Sequence, residues 1–378
     1  MPLPDDSRCG DDTALRVELL LIALGLSTLE FFIPRIPVFP WLKPGLANAV
    51  TLVWVMRYGF TDAVLFVVMR TWVLSFYFGF SFITTALGLM GGITAVGVTA
   101  LLCRLQSRVP LFGLVGISIG AAFAHNAGQL GGVYLFLIRS TRLWGQIPVM
   151  AAASVLSGSV TGLLAKGVGQ LPSPRTGELP FPQRSKTPNP GGGYRLGASL
   201  GVVAVCVLVT FVRSWVLLAW GALGMTVVVQ IVWRGSLSRL VLPLRRFWLF
   251  FLVVAVLHVW YGTGEAIAPA LVWLPREGAM DALRAWLRLW LWLQSTSLFL
   301  FMNFHLSIHA ALARYFPSHG ATLYAALMVL ERYPALVERF RASFFSLAGV
   351  VLRSPRRFVP RLHLLIREVL ADAAVAEK

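Results

Sequence analysis

Charge is scarce in this chain. Lys, Arg, Asp and Glu together make up 13% of its 378 residues and hydrophobic residues 57%, against roughly 25% and 45–50% in soluble domains. A water-soluble fold is excluded on that ground. Cysteine is also scarce: Cys9, Cys103 and Cys206 are three and far apart, which forms neither a disulfide framework nor a metal-ligand set. Catalytic signatures are missing as well. The chain has no phosphate-cradling GxxxxGK[ST] loop, no HExxH zinc helix and no nucleophile elbow, so it carries no ATP-hydrolysing or hydrolase site of those types. Asp5, Asp6, Asp11 and Asp12 fall in a polar N-terminal stretch and do not make the DDxxD spacing with which several hard oxygen ligands hold Mg²⁺ and diphosphate. That stretch also lacks the basic region and small-residue cleavage site of a secretory signal, so the N-terminus is expected to be uncleaved. No cofactor and no metal is implied.

What is present is a series of apolar runs of about 20 residues, the length of helix that crosses a ~30 Å hydrocarbon core. The expected class is an all-α polytopic membrane protein of about ten spans. After a tail over 1–13, six spans are expected in the first half, near 14–33, 45–57, 61–79, 81–103, 111–138 and 145–166. Pro34, Pro37, Pro40 and Pro44 break helicity between the first two, and that connection is a candidate lid. Residues 169–194, rich in Pro, Gly and polar groups, read as a linker. Four spans follow near 196–213, 215–233, 247–262 and 285–303, then basic amphipathic helices from about 305.

The net charge of +17 does not mark a nucleic-acid binder, because the basic residues stand singly or in short groups at the ends of apolar runs. They set topology instead. Arg57, Arg104, Arg108, Lys166, the linker and the basic tail outweigh Arg35, Lys43, Arg139, Arg142, Arg213 and Arg276, which places both termini and the linker in the cytoplasm by the positive-inside rule.

Ionisable residues at bilayer depth cost about 2.5–3.5 kcal/mol each on insertion scales and so face a cavity or a partner. Arg70 lies mid-span in VLFVVMRTWVLSF, and GAAFAHNAGQLGG carries His125, Asn126 and Gln129. His125 and Gln129 share a helix face, and the expectation is a cavity in which Arg70 has these three as partners. The bland reading is that Asn, Gln and His serve as interhelical glue beside close-packing glycines. Glu30 is less decisive, and Glu18 reads as a helix-start residue at the interface.

The segments LEFFIPRIPVFPWLKPGLANAVTL (29–52), VMRTWVLSFYFGFSF (68–82), LGLMGG (87–92) and GISIGAAFAHNAGQL (116–130) resemble the Gx transporter family, which also bears the label heptaprenyl diphosphate synthase component I. The resemblance covers about 14–168. That family is similar to the six-helix substrate-binding S components of energy-coupling factor transporters. Residues 195–378 are similar to the transmembrane T component of the same systems, through AALMVLERYPALVERFRASF (325–344) and RRFVPRLHLLIREVLADA (356–373), which look like its cytoplasmic coupling helices. Those helices usually end in an Ala-Arg-Gly-like signature, and here Phe340, Arg341, Ala342 and Ser343 stand near its first expected position.

The resemblance implies a fused S and T unit in the inner membrane that takes up a small organic molecule with separate ABC-type ATPases. It implies Lys43, Asn48, Arg70, His125, Asn126 and Gln129 as substrate-binding residues, with Arg70 and Lys43 suited to an anionic group, and Arg332, Arg339, Arg341, Arg361 and Arg367 as partner-coupling residues. The competing readings are a membrane component of prenyl diphosphate synthesis and a ligand-free membrane scaffold.

Overall fold

The computed structural model describes residues 6–32, 45–78, 82–108, 113–170, 201, 204–232, 248, 251–260, 265–266, 275–301 and the scattered positions 322, 338, 360–362, 364 and 368. The described residues are helical almost throughout, with a single β-bridge between Ala266 and Pro275. Three helical stretches, Asn48–Ser75, Phe82–Arg108 and Thr141–Gly169, are long and apolar enough to cross a membrane. Large apolar side chains such as Leu156, Ile231 and Trp260 are more than 70% exposed, a surface suited to hydrocarbon.

The first helix, α1, runs Asp6–Phe32. It therefore begins inside the stretch read as a tail and well before Glu18. Leu19 to Leu24 are six consecutive buried positions, and at 3.6 residues per turn they cover every side of the helix. A helix enclosed on all sides is a core element. Glu18, at 4% exposure, is buried in the bundle and is not an interface residue at a helix start.

The second helix, α2, spans Asn48–Phe78 but breaks at Gly59, where φ is 87° and ψ −175°. The break folds the helix into two arms, α2a (48–58) and α2b (60–78). Trp54 and Phe66 stack with ring centroids 4.2 Å apart, and Arg70 reaches Thr51 at 3.1 Å. In a straight helix these pairs would lie about 18 and 28 Å apart. The helix is thus divided between the stretches 45–57 and 61–79, where two separate segments were expected. α2a, with eleven residues, is only about 16 Å long, about half of what a ~30 Å core requires.

The remaining first-half helices are α3 (Phe82–Arg108), α4 (Leu114–Phe136) and α5 (Ile147–Gly169), the last preceded by a 3-10 turn over Thr141–Gln146. α3 packs between α2 and α4, and α4 between α3 and α5. Glycine sets these separations. A Cβ on Gly128 would meet Thr94 and the Met90 carbonyl, and one on Gly158 would lie 2.5 Å from Ile119 Cα, so backbones touch where the small-xxx-small pair Gly158 and Gly162 crosses α4.

The second half contains α6 (204–211), α7 (Trp215–Val232), α8 (Phe251–Trp260) and α9 (Arg276–Phe301). α9 starts nine residues earlier than expected. Its first turns are polar, yet Arg284 pairs with Asp281 at 2.6 Å within the helix and Arg288 donates to the Val212 carbonyl just past α6, so these charges have partners. The halves share one apolar cluster that joins Ile83, Leu130, Val133 and Leu137 to Phe251, Leu289 and Trp292.

Candidate functional site

α1 runs alongside the α2 hairpin. Near the Gly59 bend, Arg16 bonds Asp62 at 3.5 Å and lies 4.2 Å over the Tyr58 ring. Fourteen residues further along α1, about 21 Å by helical rise, the carboxylate of Glu30 accepts the Ala47 backbone N–H at 3.0 Å. Gly45 makes this turn possible with its φ of 72°, a conformation that an L side chain rarely takes. The Gly45 carbonyl accepts from Asn48 N–H at 2.9 Å and from the Thr161 hydroxyl of α5 at 3.5 Å.

This builds the first polar layer. A half-length helix leaves unsatisfied N–H groups at bilayer depth, which is tolerated only where protein or a cavity surrounds them. Glu30 answers that need, and an anion at a helix N-terminus is also favoured by the helix dipole. Arg70, eleven residues beyond Gly59 on α2b, arrives at the same level. It donates to Thr51 Oγ1, is attracted by the charge of Glu30, and has Phe66 at 5.9 Å from its guanidinium.

The second polar layer lies on α4. His125 and Gln129 sit against Gly91 of α3, where a Cβ would come within 2.9 Å of His125 Cε1 and 2.8 Å of Gln129 Cγ. Asn126 turns the other way and donates to Ser154 of α5 at 2.9 Å, and Ser154 in turn donates to the Met150 carbonyl. All three α4 residues are at least nine-tenths buried.

The expected quartet is therefore divided. Among the described contacts Arg70 bonds Thr51 and feels the charge of Glu30, with no hydrogen bond to His125, Asn126 or Gln129, because the fold-back at Gly59 brings α2a to it. Asn126 lies one residue, or 100°, around the helix from His125, enough to give it a different neighbour. Asn48 is half-buried at the start of α2a. Lys43 lies outside the described residues, as do Arg332, Arg339, Arg341 and Arg367; Arg361 is described and is exposed on a helical stretch. Thr51, Ser154 and Thr161 were not singled out in the sequence, since hydroxyls at bilayer depth normally bond their own helix. Glu30 carried a readable signal, an acid at bilayer depth beside a proline-rich turn.

The two halves meet through polar contacts too. His258 Nε2 lies 3.1 Å from the Leu137 carbonyl, and Arg139 donates to the Thr210 carbonyl at 3.0 Å. Among the described residues no group of three or more His, Cys, Asp or Glu is placed to hold a metal.

No curated protein and no solved structure matches the chain. Residues 19–168, which carry both polar layers, match the model of one family, and over that bundle the chain is similar to heptaprenyl diphosphate synthase component I.

Proposed function

We propose that the chain is the membrane part of an uptake transporter, in which the first half holds a small organic molecule and the second half couples to cytoplasmic ABC-type ATPases. One observation carries this reading: α2a is a short arm, about half the length of a spanning helix, whose start gathers Glu30, Thr51 and Arg70. Interrupted helices whose ends converge on polar residues near the membrane midplane are how transporters build substrate sites. Lys43, Asn48, Arg70, His125, Asn126 and Gln129 line or support the site in this reading, with Glu30 and Thr51 added. The shared apolar cluster and the contacts of Arg139 and His258 supply a route by which movement in one half reaches the other. The basic residues Arg332, Arg339, Arg341, Arg361 and Arg367 face the partner, and both termini lie in the cytoplasm of an inner-membrane protein. No chemistry is catalysed by the chain itself.

Native mass spectrometry of the full chain purified in detergent, with a parallel search for co-purifying nucleotide-binding subunits, tests the proposal. A bound small molecule together with an ATPase pair is expected; finding neither removes it. The family description favours a second reading, a membrane component of heptaprenyl diphosphate synthesis. Prenyl-diphosphate chain elongation that depends on the purified chain would establish that alternative.

A further inference from the structure

In the second half, α6 and α7 are joined by residues 212–214, which include Arg213. An apolar cleft of about 320 Å³ runs between these two helices and α9, within the size range of ligand pockets. Val205 and Val212 supply one wall, two helical turns apart on one face. The buried Leu218 and Leu291 form the floor, and the exposed Leu217 and Val228 stand at the mouth. The cleft therefore opens through apolar side chains onto the surface suited to hydrocarbon, so that an occupant enters from the bilayer and not from water.

The end of the cleft beside residues 212–214 is cationic. Arg288, one turn before Leu291 on α9, donates to the Val212 carbonyl at 2.6 Å. Arg139, from the first half, donates to the Thr210 carbonyl at 3.0 Å and lies 5.7 Å from the Phe211 ring. Two guanidiniums are thus held by carbonyls two residues apart, at the C-terminal end of α6 that cations favour, and Arg213 follows next in the chain. Arg139 and Arg213 are exposed, whereas Arg288 is buried with its Nε short of a hydrogen-bond partner. Arg288 also feels the charges of Arg139 and Arg284. Of these four guanidiniums only that of Arg284 bonds a carboxylate among the described residues, Asp281 at 2.6 Å. The next acid along α9, Glu277, is eleven residues from Arg288, about 16 Å by helical rise. Positive charge is left over at the level where the exposed Trp215 follows Arg213, the pairing of aromatic and basic side chains that marks a membrane–water interface.

We propose that an anionic phospholipid of the surrounding bilayer binds at this place, its phosphate against the exposed guanidiniums of Arg213 and Arg139 and one acyl chain along the cleft over Leu218 and Leu291. A guanidinium meets a phosphate through two parallel hydrogen bonds, and basic pockets between membrane helices take anionic headgroups. Arg288 lies beneath and adds charge that salt screens little, because it is buried. A zwitterionic lipid offers the same chain but brings a cation of its own to the cluster. Arg139 belongs to the first half and Arg213 to the second, so a single headgroup bridges the seam that the apolar cluster around Trp292 and the contact of His258 also join. The inference is independent of what the first half carries.

The test mixes the full chain in detergent with phosphatidylglycerol or phosphatidylcholine of identical acyl chains. Native mass spectrometry measures the lipid retained, and the heat-unfolding midpoint is followed in parallel. Phosphatidylglycerol is expected to raise the midpoint and to be retained at least about tenfold more than phosphatidylcholine. Arg213→Gln, at an exposed position without a described partner, should cut that preference to about threefold or less and leave phosphatidylcholine retention unchanged. Gly221→Leu puts a side chain into the cleft, where a Cβ lies at an ordinary 3.6 Å from Leu291, and should lower retention of both lipids by about tenfold. Equal retention of the two lipids by the wild type, or retention of neither, overturns the inference. Glycerol phosphate that raises the midpoint as far as phosphatidylglycerol does shows that a free phosphate suffices and overturns the lipid. An unchanged preference in Arg213→Gln overturns the headgroup position, and unchanged retention in Gly221→Leu overturns the seat of the chain.

Discussion

Trp54 and Phe66 stack at 4.2 Å although eleven residues lie between them in one helical segment. That contact exists because Gly59 reverses the helix, and the reversal also delivers Arg70 to Thr51. Much of the first half depends on this one residue.

Gly59→Ala is therefore expected to destabilise the protein by about 1–3 kcal/mol, the cost of a side chain at a φ and ψ open essentially to glycine alone. No atom lies within 4 Å of the added Cβ, so the loss is conformational and not steric. Heat unfolding in detergent should show a lowered midpoint, and an unchanged midpoint would mean that the bend tolerates other residues.

Gly158 and Gly131 make a matched pair on the packed helices. At Gly158 the new methyl would meet the backbone of Ile119 at 2.5 Å, whereas at Gly131 it has open space. Gly158→Ala should cost about 1–3 kcal/mol by forcing α4 and α5 apart, and Gly131→Ala should be neutral or gain up to ~1 kcal/mol from helix propensity. Similar unfolding midpoints for the two variants would contradict the close crossing.

Arg70 feels the charge of Glu30, and this changes what its removal does. With neutral amide partners, Arg70→Leu should leave a folded protein. Its loss leaves the Thr51 hydroxyl without its donor and removes a positive charge that Glu30 feels, a change expected to cost about 1–3 kcal/mol. Arg70→Leu is thus expected to lower stability, and the double variant with Glu30→Gln to recover part of it. A double-mutant cycle with no coupling between the two positions would separate them.

Trp292 is the apolar anchor between the halves. It is 1% exposed, donates its indole N–H to the Cys206 carbonyl at 3.0 Å, and lies 5.5 Å from the ring of Phe82 and 6.3 Å from that of Phe136. After cleavage at a protease site inserted near residue 180, the two halves of the wild type should remain together on size-exclusion chromatography. Trp292→Ala, with a loss of about 3–5 kcal/mol, should let them separate. Halves that part in the wild type would show that the linker alone holds them.

The sequence by itself determined the class of this protein. Apolar runs of spanning length, a Pro- and Gly-rich linker and basic residues at run ends are local properties, and the helices α3, α4, α5 and α7 fall close to where those runs place them. Even the separation of α2a from α2b was legible, because Arg57, Tyr58 and Gly59 interrupt the apolar pattern. Burial of Arg70, His125, Asn126 and Gln129 was legible too, since polar groups at bilayer depth must turn inward. Which of them meet was decided only by the tertiary structure. The partner of Arg70 depends on the angle taken at Gly59, and that of Asn126 on which neighbouring helix lies 100° around α4 from His125; helical periodicity gives a direction around one axis but not the helix that lies in that direction. The enclosure of α1 and the joint core of the two halves were hidden for the same reason. Leu and Val look alike whether they face lipid or protein, and only packing assigns the difference.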